Sequence, residues 1–164
     1  MSPFDLAVMP THVRFMGRKF PRTIGWGGLT DRKTEGDGAT PRGVLGIVGM
    51  LYRPDRIARP ADWAVPIVTG DLWSDDVNDP AYNMMVRAPH GFSHEDLRRA
   101  DPMYDLVLMT DWNWPRAVKG RGSAIFIHAW RGNGRPTAGC IAFRPDHLAW
   151  IARRIGINSR VVIA

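Results

Sequence analysis

The stretch I-F-I-H-A-W-R-G-N-G-R-P-T-A-G-C-I-A-F, residues Ile125 to Phe143, decides how the chain is read. A short apolar run, Ile125-Phe126-Ile127, delivers His128. A polar loop punctuated by Gly and Pro follows, and Thr137-Ala138-Gly139 then presents Cys140, the only cysteine in 164 residues. A thiol of ordinary pKa, about 8.5, needs a basic or cationic neighbour to become a useful nucleophile. His128, twelve positions upstream at the end of an apolar run, is placed to be that base. Gly139 lets the backbone come close to a substrate, and the N–H groups of the Gly139-Cys140 turn are expected to form an oxyanion hole. The bland alternative is a small buried hydrophobe, the commonest fate of a lone cysteine. The polar loop ahead of Cys140 argues against it.

Working outward, the chain is long enough for one domain with a real core, expected to span 1–164. Its 45% apolar and 23% charged content is that of a globular protein. One cysteine excludes an internal disulfide and any cysteine-rich zinc site. The net charge is +6, and nearly all of the positive charge is arginine, since only Lys19, Lys33 and Lys119 are lysines. Arginine's planar fork suits carboxylates and phosphates, so a polyanionic partner is one reading and a solubilising surface the other. The N-terminal M-S-P-F-D-L-A-V-M-P-T-H shows neither a charged leader nor a long apolar run, so no signal peptide is expected in the chain as written. No run approaches the ~18 apolar residues of a membrane span.

Short apolar bursts mark strands at Leu6–Met9, Val13–Gly17, Val44–Tyr52, Ala64–Val68, Asp105–Met109, Ala124–Ile127 and Arg160–Ala164. The density of Gly and Pro from Asp31 to Gly43 predicts a shaped loop. Ser93, with Glu95 and Asp96 behind it, predicts the start of a short helix. Pro145 to Ile155 predicts the main helix, with Leu148, Ile151 and Ile155 on one face and Gly156 as terminator. The elements do not alternate βαβα, so the fold class is β-rich α+β rather than a doubly wound sheet. His90 and His94 stand four apart, but Gly91 and a helix starting only at Ser93 spoil a metal-binding face; no metal is expected. Gly36-Asp37-Gly38 lacks the G-K-[ST] of a phosphate loop. The seven tryptophans are scattered, which suits core or cleft packing better than a nucleic-acid platform.

Several segments together resemble the YkuD-type L,D-transpeptidases, cysteine enzymes that cross-link bacterial peptidoglycan. Gly25 to Gly43 (G-W-G-G-L-T-D-R-K-T-E-G-D-G-A-T-P-R-G) is similar to that family's early Lys…Glu-Gly-Asp-x-x-Thr-Pro-x-Gly loop. Y-R-P-D-R at 52–56, Y-N at 82–83, G-S-A-I-F-I-H at 122–128 and P-T-A-G-C-I-A at 136–142 follow in family order. The resemblance covers roughly residues 12 to 164. It implies two packed mixed β-sheets with few helices, Cys140 as nucleophile beside Gly139, His128 as base, and a backbone carbonyl, that of Ala129, holding the histidine. It also implies a thioester acyl-enzyme, no cofactor, peptidoglycan stem peptides as donor and acceptor, no nucleic-acid partner, a monomer, and a place in the periplasm or cell envelope.

Two departures stand out. The commonest family motif reads Ser/Thr-His-Gly-Cys, then a small apolar residue, then Arg or Asn; here Ala138 and Ala142 replace the second histidine and the Arg/Asn. The loop from His128 to Cys140 is also shorter than usual. Arg131, Arg135 and Arg144 are therefore the candidates for contacts to stem carboxylates, with Thr137, Tyr82 and Asn83 as further substrate-binding candidates. The T-A-G-C form resembles a proteobacterial branch for which links from L-Ala at position 1 of the donor to diaminopimelate at position 3 of the acceptor have been proposed. The alternatives are 3–3 links, hydrolysis of the same thioester, a non-catalytic wall-binding module, and a nucleic-acid binder suggested by charge alone.

Overall fold

A computed structural model describes residues 2–164. The chain opens with β1 (Leu6–Val8), β2 (Val13–Phe15), β3 (Arg18–Phe20), β4 (Leu29–Thr30) and β5 (Thr40–Pro41). The long β6 (Gly43–Tyr52) follows, then β7 (Val65–Pro66), β8 (Asp71–Ser74), β9 (Met85–Arg87) and β10 (His94–Asp96). A 3-10 turn at Pro102–Tyr104 leads into β11 (Leu106–Thr110), β12 (Phe126–Ala129), β13 (Ile141–Phe143), the helix α1 (Pro145–Ala152) and β14 (Arg160–Ile163).

β6 is the spine. Its first half, Gly43 to Gly46, pairs antiparallel with β14, and its second half, Ile47 to Tyr52, pairs antiparallel with β11. One strand thus serves two sheet regions. The path runs β13-β12-β11-β6-β14-β1-β2-β3, with β7 added beside β6. β1 with β14 and β12 with β13 are parallel and the rest of the path is antiparallel, so the sheet is mixed. A bulge between Met109 and Thr110 shifts the register, and there the Asp111 carboxylate accepts the Gly46 N–H at 2.8 Å.

Period-2 alternation sorts the core into two layers. Leu106, Leu108, Ile125, Ile127, Ile141 and Phe143 face one cluster, which α1 closes with Leu148, Ile151 and Ala152. Val107, Phe126 and Cys140 face the other, where Trp73, Leu97 and Tyr104 meet them from beneath the small antiparallel sheet β10-β8-β9. Any catalytic group on this second face lies between the large sheet and the small one.

The expected β-rich fold of mixed sheets with few helices is what the chain forms. The Ser93 helix is not. Residues 94–96 are a strand, because Glu95 pairs with Trp73 in the β8–β10 ladder, and a three-residue segment gains more from that ladder than from an unsupported helical turn. The Ala64–Val68 strand contracts to Val65–Pro66, and the strand carrying His128 runs two residues further than expected. The main helix starts at Pro145 as expected but ends at Ala152, with Ile155 still donating to the Ile151 carbonyl at 3.0 Å.

Candidate active site

The parallel β12–β13 ladder sets the geometry. Ile127 pairs with Ile141 and His128 with Ala142. Ile127, Ile141 and Phe143 fill the first core layer, so His128, Cys140 and Ala142 point the other way, together. His128 is 2% exposed. Its Nδ1 lies 2.8 Å from the Ala129 carbonyl, which can only accept, so Nδ1 carries the proton and Nε2 is the free base. Its ring forms a T-shaped pair with Tyr104, with centroids 5.2 Å apart and planes at 72°. Burial is the main cause that lowers the His128 pKa to about 4, with the Arg99 and Arg131 charges adding to it and the Ala129 carbonyl opposing. The ring is therefore neutral at neutral pH.

Cys140 is half-buried. Its thiol donates to the Ala124 carbonyl at 3.0 Å, and its sulfur accepts the Phe126 N–H at 3.4 Å. Burial pushes the thiol up to about 12, and the Glu95 charge acts in the same sense; the Phe126 N–H and the Lys33 charge pull it down. Both partners thus rest in their neutral forms. Gly139 sits at φ +140°, and a Cβ there would stand 3.0 Å from the Ala39 carbonyl, so a side chain would strain the turn that presents the thiol.

The turn is tied down from both sides. Thr40 Oγ1 donates to the Gly139 carbonyl at 2.7 Å and accepts the Gly25 N–H at 2.9 Å. Thr137 Oγ1 donates to the Cys140 carbonyl at 2.6 Å and accepts the Gly139 N–H at 3.1 Å. This revises the expected oxyanion hole. The Gly139 N–H is already engaged, whereas the Cys140 N–H has no acceptor among the described residues and is free to donate.

A cavity of about 420 Å³ opens over the pair, with Arg99, Arg131 and Arg135 on its wall and Thr137, Ala138 and Tyr104 near the thiol. The model of the YkuD family, the L,D-transpeptidase catalytic domain, matches residues 13–163. The chain belongs to that family. Solved structures similar to this YkuD domain include an L,D-transpeptidase from Mycobacterium smegmatis, at 16% identity and a TM-score of 0.45, covering 97% of this chain and 56% of that one. The L,D-transpeptidase LdtMt1 in complex with imipenem follows at 13% and 0.46, covering 97% and 56%. Mycobacterium tuberculosis L,D-transpeptidase 1 follows at 12% and 0.41, covering 96% and 58%. The chain spans a little over half the length of these proteins. No curated protein sequence matches it.

In this YkuD domain the residues singled out from sequence divide into two groups. His128, Arg131, Arg135, Thr137 and Cys140 share one cavity. Arg144, Tyr82 and Asn83 do not line it. Arg144 is exposed at the start of α1, paired with Asp146 at 2.5 Å. Tyr82 donates its hydroxyl to Glu35. Asn83 is 1% exposed at φ 61° and bonds four partners: its Oδ1 accepts from the Trp73 indole and the Ala124 N–H, and its Nδ2 donates to the Trp112 and Asn113 carbonyls. Its place is structural: it holds the N–H of Ala124, the residue whose carbonyl accepts the thiol hydrogen.

Sequence reading missed Glu95, Arg99, Tyr104 and Trp26. The Tyr104 hydroxyl donates to Glu95 at 2.5 Å, and Arg99 lies over the Tyr104 ring at 5.3 Å. No local pattern marks them, because they reach the site from separate places in the chain: Glu95 on β10, Arg99 and Trp26 in loops and Tyr104 in the 3-10 turn. Trp26 lies against Gly38, where a Cβ would fall 1.9 Å from the indole, and this residue's glycine identity was a usable signal of close packing. Among the described residues no group of three His, Cys, Asp or Glu is arranged to hold a metal ion. His90 bonds Asp79 at 2.6 Å, and among the described residues no helix is long and apolar enough to cross a membrane.

Proposed function

We propose that this protein is an L,D-transpeptidase acting on peptidoglycan stem peptides through a thioester on Cys140, in the cell envelope. The observation that carries the reading is the shared cavity-facing side of His128 and Cys140 on the parallel β12–β13 pair, beneath an arginine-lined wall. The stem offers carboxylates, and Arg131 and Arg135 offer planar forks to match.

In the first half-reaction the Cys140 sulfur attacks a stem carbonyl while His128 Nε2 takes the thiol proton. The developing oxyanion receives the Cys140 N–H. As the C–N bond breaks, His128 returns the proton to the leaving amine, leaving the thioester. In the second half the amine of another stem, on meso-diaminopimelate, attacks that carbonyl; His128 takes its proton and gives it to the departing sulfur. With the thiol near 12 and the imidazole near 4, a preformed thiolate–imidazolium pair is disfavoured. Proton transfer then runs in step with attack. The replacement of the motif histidine and Arg/Asn by Ala138 and Ala142 leads us to assign the L-Ala(1)–diaminopimelate(3) link rather than the 3–3 link.

Incubation of the purified protein with defined muropeptides, read by mass spectrometry, tests the assignment. Cross-linked dimers with a 1–3 bond and a donor-sized adduct on Cys140 are expected. Truncated monomers would assign hydrolysis instead, 3–3 dimers would reassign the register, and undiminished product from Cys140→Ala would end the reading.

A further inference from the structure

The large sheet has a second half, β14-β1-β2-β3, that carries none of the residues lining the His128–Cys140 cavity. Its registers bring separate turns of the chain to one end. β14 and its parallel neighbour β1 both start there, with Leu6 opposite Val161. Phe15 and Arg18 pair across the hairpin that Met16 and Gly17 close, and the Met16 N–H donates to the Pro3 carbonyl at 2.8 Å. α1 ends at Ala152, and the turn at 156–159 leads the chain into β14 at the same end. Trp150 ties hairpin to helix: the Arg18 guanidinium lies 4.6 Å and the Arg154 guanidinium 4.0 Å from its ring centroid.

This end is apolar at its tips and basic around them. Phe4 is 67%, Met16 40% and Ile157 56% exposed. Arg14, Arg18, Lys19, Arg153 and Arg154 are exposed as well, and none forms an ion pair among the described residues. The carboxylates beside them are engaged, Asp5 with Arg160 at 3.4 Å and Asp146 with Arg144 at 2.5 Å. Met16 is the most informative of the tips. It sits at φ 48° and Gly17 at φ 75°, the two left-handed positions of a tight hairpin turn, where Asn or Gly is at ease and a long apolar side chain is strained. The core gains little from Met16, because the residue faces water.

We propose that this end is a docking surface for an anionic phospholipid bilayer. Phe4, Met16 and Ile157 enter the headgroup region, while arginine and lysine lay their apolar stems along the same surface and carry their charges to the lipid phosphates. Charge complementarity selects this occupant. Five unpaired cations surround three apolar tips, and an anionic bilayer takes up both together. A nucleic acid would match the cations and leave the tips in water. A second copy of the chain would set the same cations against one another. The His128–Cys140 cavity shares none of these residues and stays open in the docked protein.

Sedimentation of the full chain with vesicles at low salt tests the surface. Binding to mixed phosphatidylglycerol–phosphatidylcholine vesicles is expected to be at least ~10-fold stronger than to phosphatidylcholine alone, and to weaken as salt is added. Lys19→Gln combined with Arg153→Gln should lower it by ~20-fold, the effect of two surface cations. Met16→Asn suits the turn better, so it should lower binding by ~5-fold while the unfolding temperature holds or rises. Cross-linking of muropeptides in solution should be the same for wild type and variants, so failure of the transpeptidase reading leaves the vesicle result standing. Equal binding to both kinds of vesicle, no binding to the mixed ones, or undiminished binding by Met16→Asn overturns the proposal. So does duplex DNA binding that the double variant loses and Met16→Asn keeps, which assigns a nucleic-acid site. A dimer in solution that Met16→Asn dissolves overturns it too, because a second copy then covers this face.

Discussion

Tyr104 packs across His128 in a T-shaped pair at 5.2 Å while its hydroxyl reaches 2.5 Å to Glu95, so one side chain links the histidine to a carboxylate on the cavity wall. The ring and the hydroxyl have separable tasks. Tyr104→Phe keeps the ring against His128 and leaves Glu95 without its donor. We expect a loss of ~1–3 kcal/mol in stability and a several-fold slower transfer, whereas Tyr104→Ala frees the imidazole and costs far more activity. Chemical denaturation and product formation, measured on both variants, check the split.

Acid should loosen the fold through His128. The unfolded ring takes up its proton as pH falls through 6.5, while the folded ring resists until about 4. Stability from this group is complete above pH 6.5 and drains away between 6.5 and 4, by up to ~3 kcal/mol. Cys140 works at the other end: its thiol ionises near 9 when unfolded and near 12 when folded, so stability falls as pH climbs from 9 towards 12. Unfolding temperatures at pH 7, 5.5 and 4.5 measure the acid limb. His128→Gln should flatten it, and an unchanged slope in that variant would sink the assignment.

Alkylation gives an independent reading of the resting thiol. With its S–H donated to the Ala124 carbonyl and its pKa pushed up to about 12, Cys140 should react slowly with iodoacetamide at pH 7. The rate should keep rising to pH 10 and beyond. A plateau near pH 7 would mean a preformed thiolate.

Arg135 and Arg144 should behave differently. Arg135 lines the cavity and Arg144 faces solvent against Asp146. Arg135→Ala is expected to raise KM for the donor by ~10-fold with a smaller change in kcat, and Arg144→Ala to leave both within about two-fold.

Asn83→Ala should be among the most damaging changes outside the His128–Cys140 pair. It strands the Trp73 indole and the Ala124 N–H in a buried setting, at a cost of ~2–4 kcal/mol. Activity should fall along with stability, because the Ala124 carbonyl is the acceptor that orients the thiol. Denaturant unfolding and thioester yield on the same sample report both.

What the sequence made legible was whatever its neighbours along the chain could specify. The apolar run of β6, the strands around residues 106–110 and 160–163, and the Pro145 start of α1 depend on local pattern, and they formed within a few residues of expectation. His128 and Cys140 stood out in sequence because each closes a motif, and the structure puts both on one cavity. Glu95 was misread because its partner, Trp73, lies 22 residues away in β8, and a three-residue strand has no pattern of its own. Tyr82 and Asn83 were assigned to substrate because a motif does not say whether a polar side chain faces a ligand or a neighbouring strand. The pairing of β6 with both β14 and β11 is a long-range choice that no window of sequence contains.

Parallel neighbours cannot be joined by a tight turn, so the chain must leave the end of β12 and travel back the length of a strand before β13 begins. The returning segment ahead of the Thr137–Cys140 turn, residues 130–136, is free to vary in length because His128 and Cys140 are aligned by the ladder and by the hydrogen bonds of Thr40 and Thr137, not by the loop between them. Inserting two or three residues near Asn133 should reshape the mouth and alter which stems enter. The chemistry beneath it would keep its alignment.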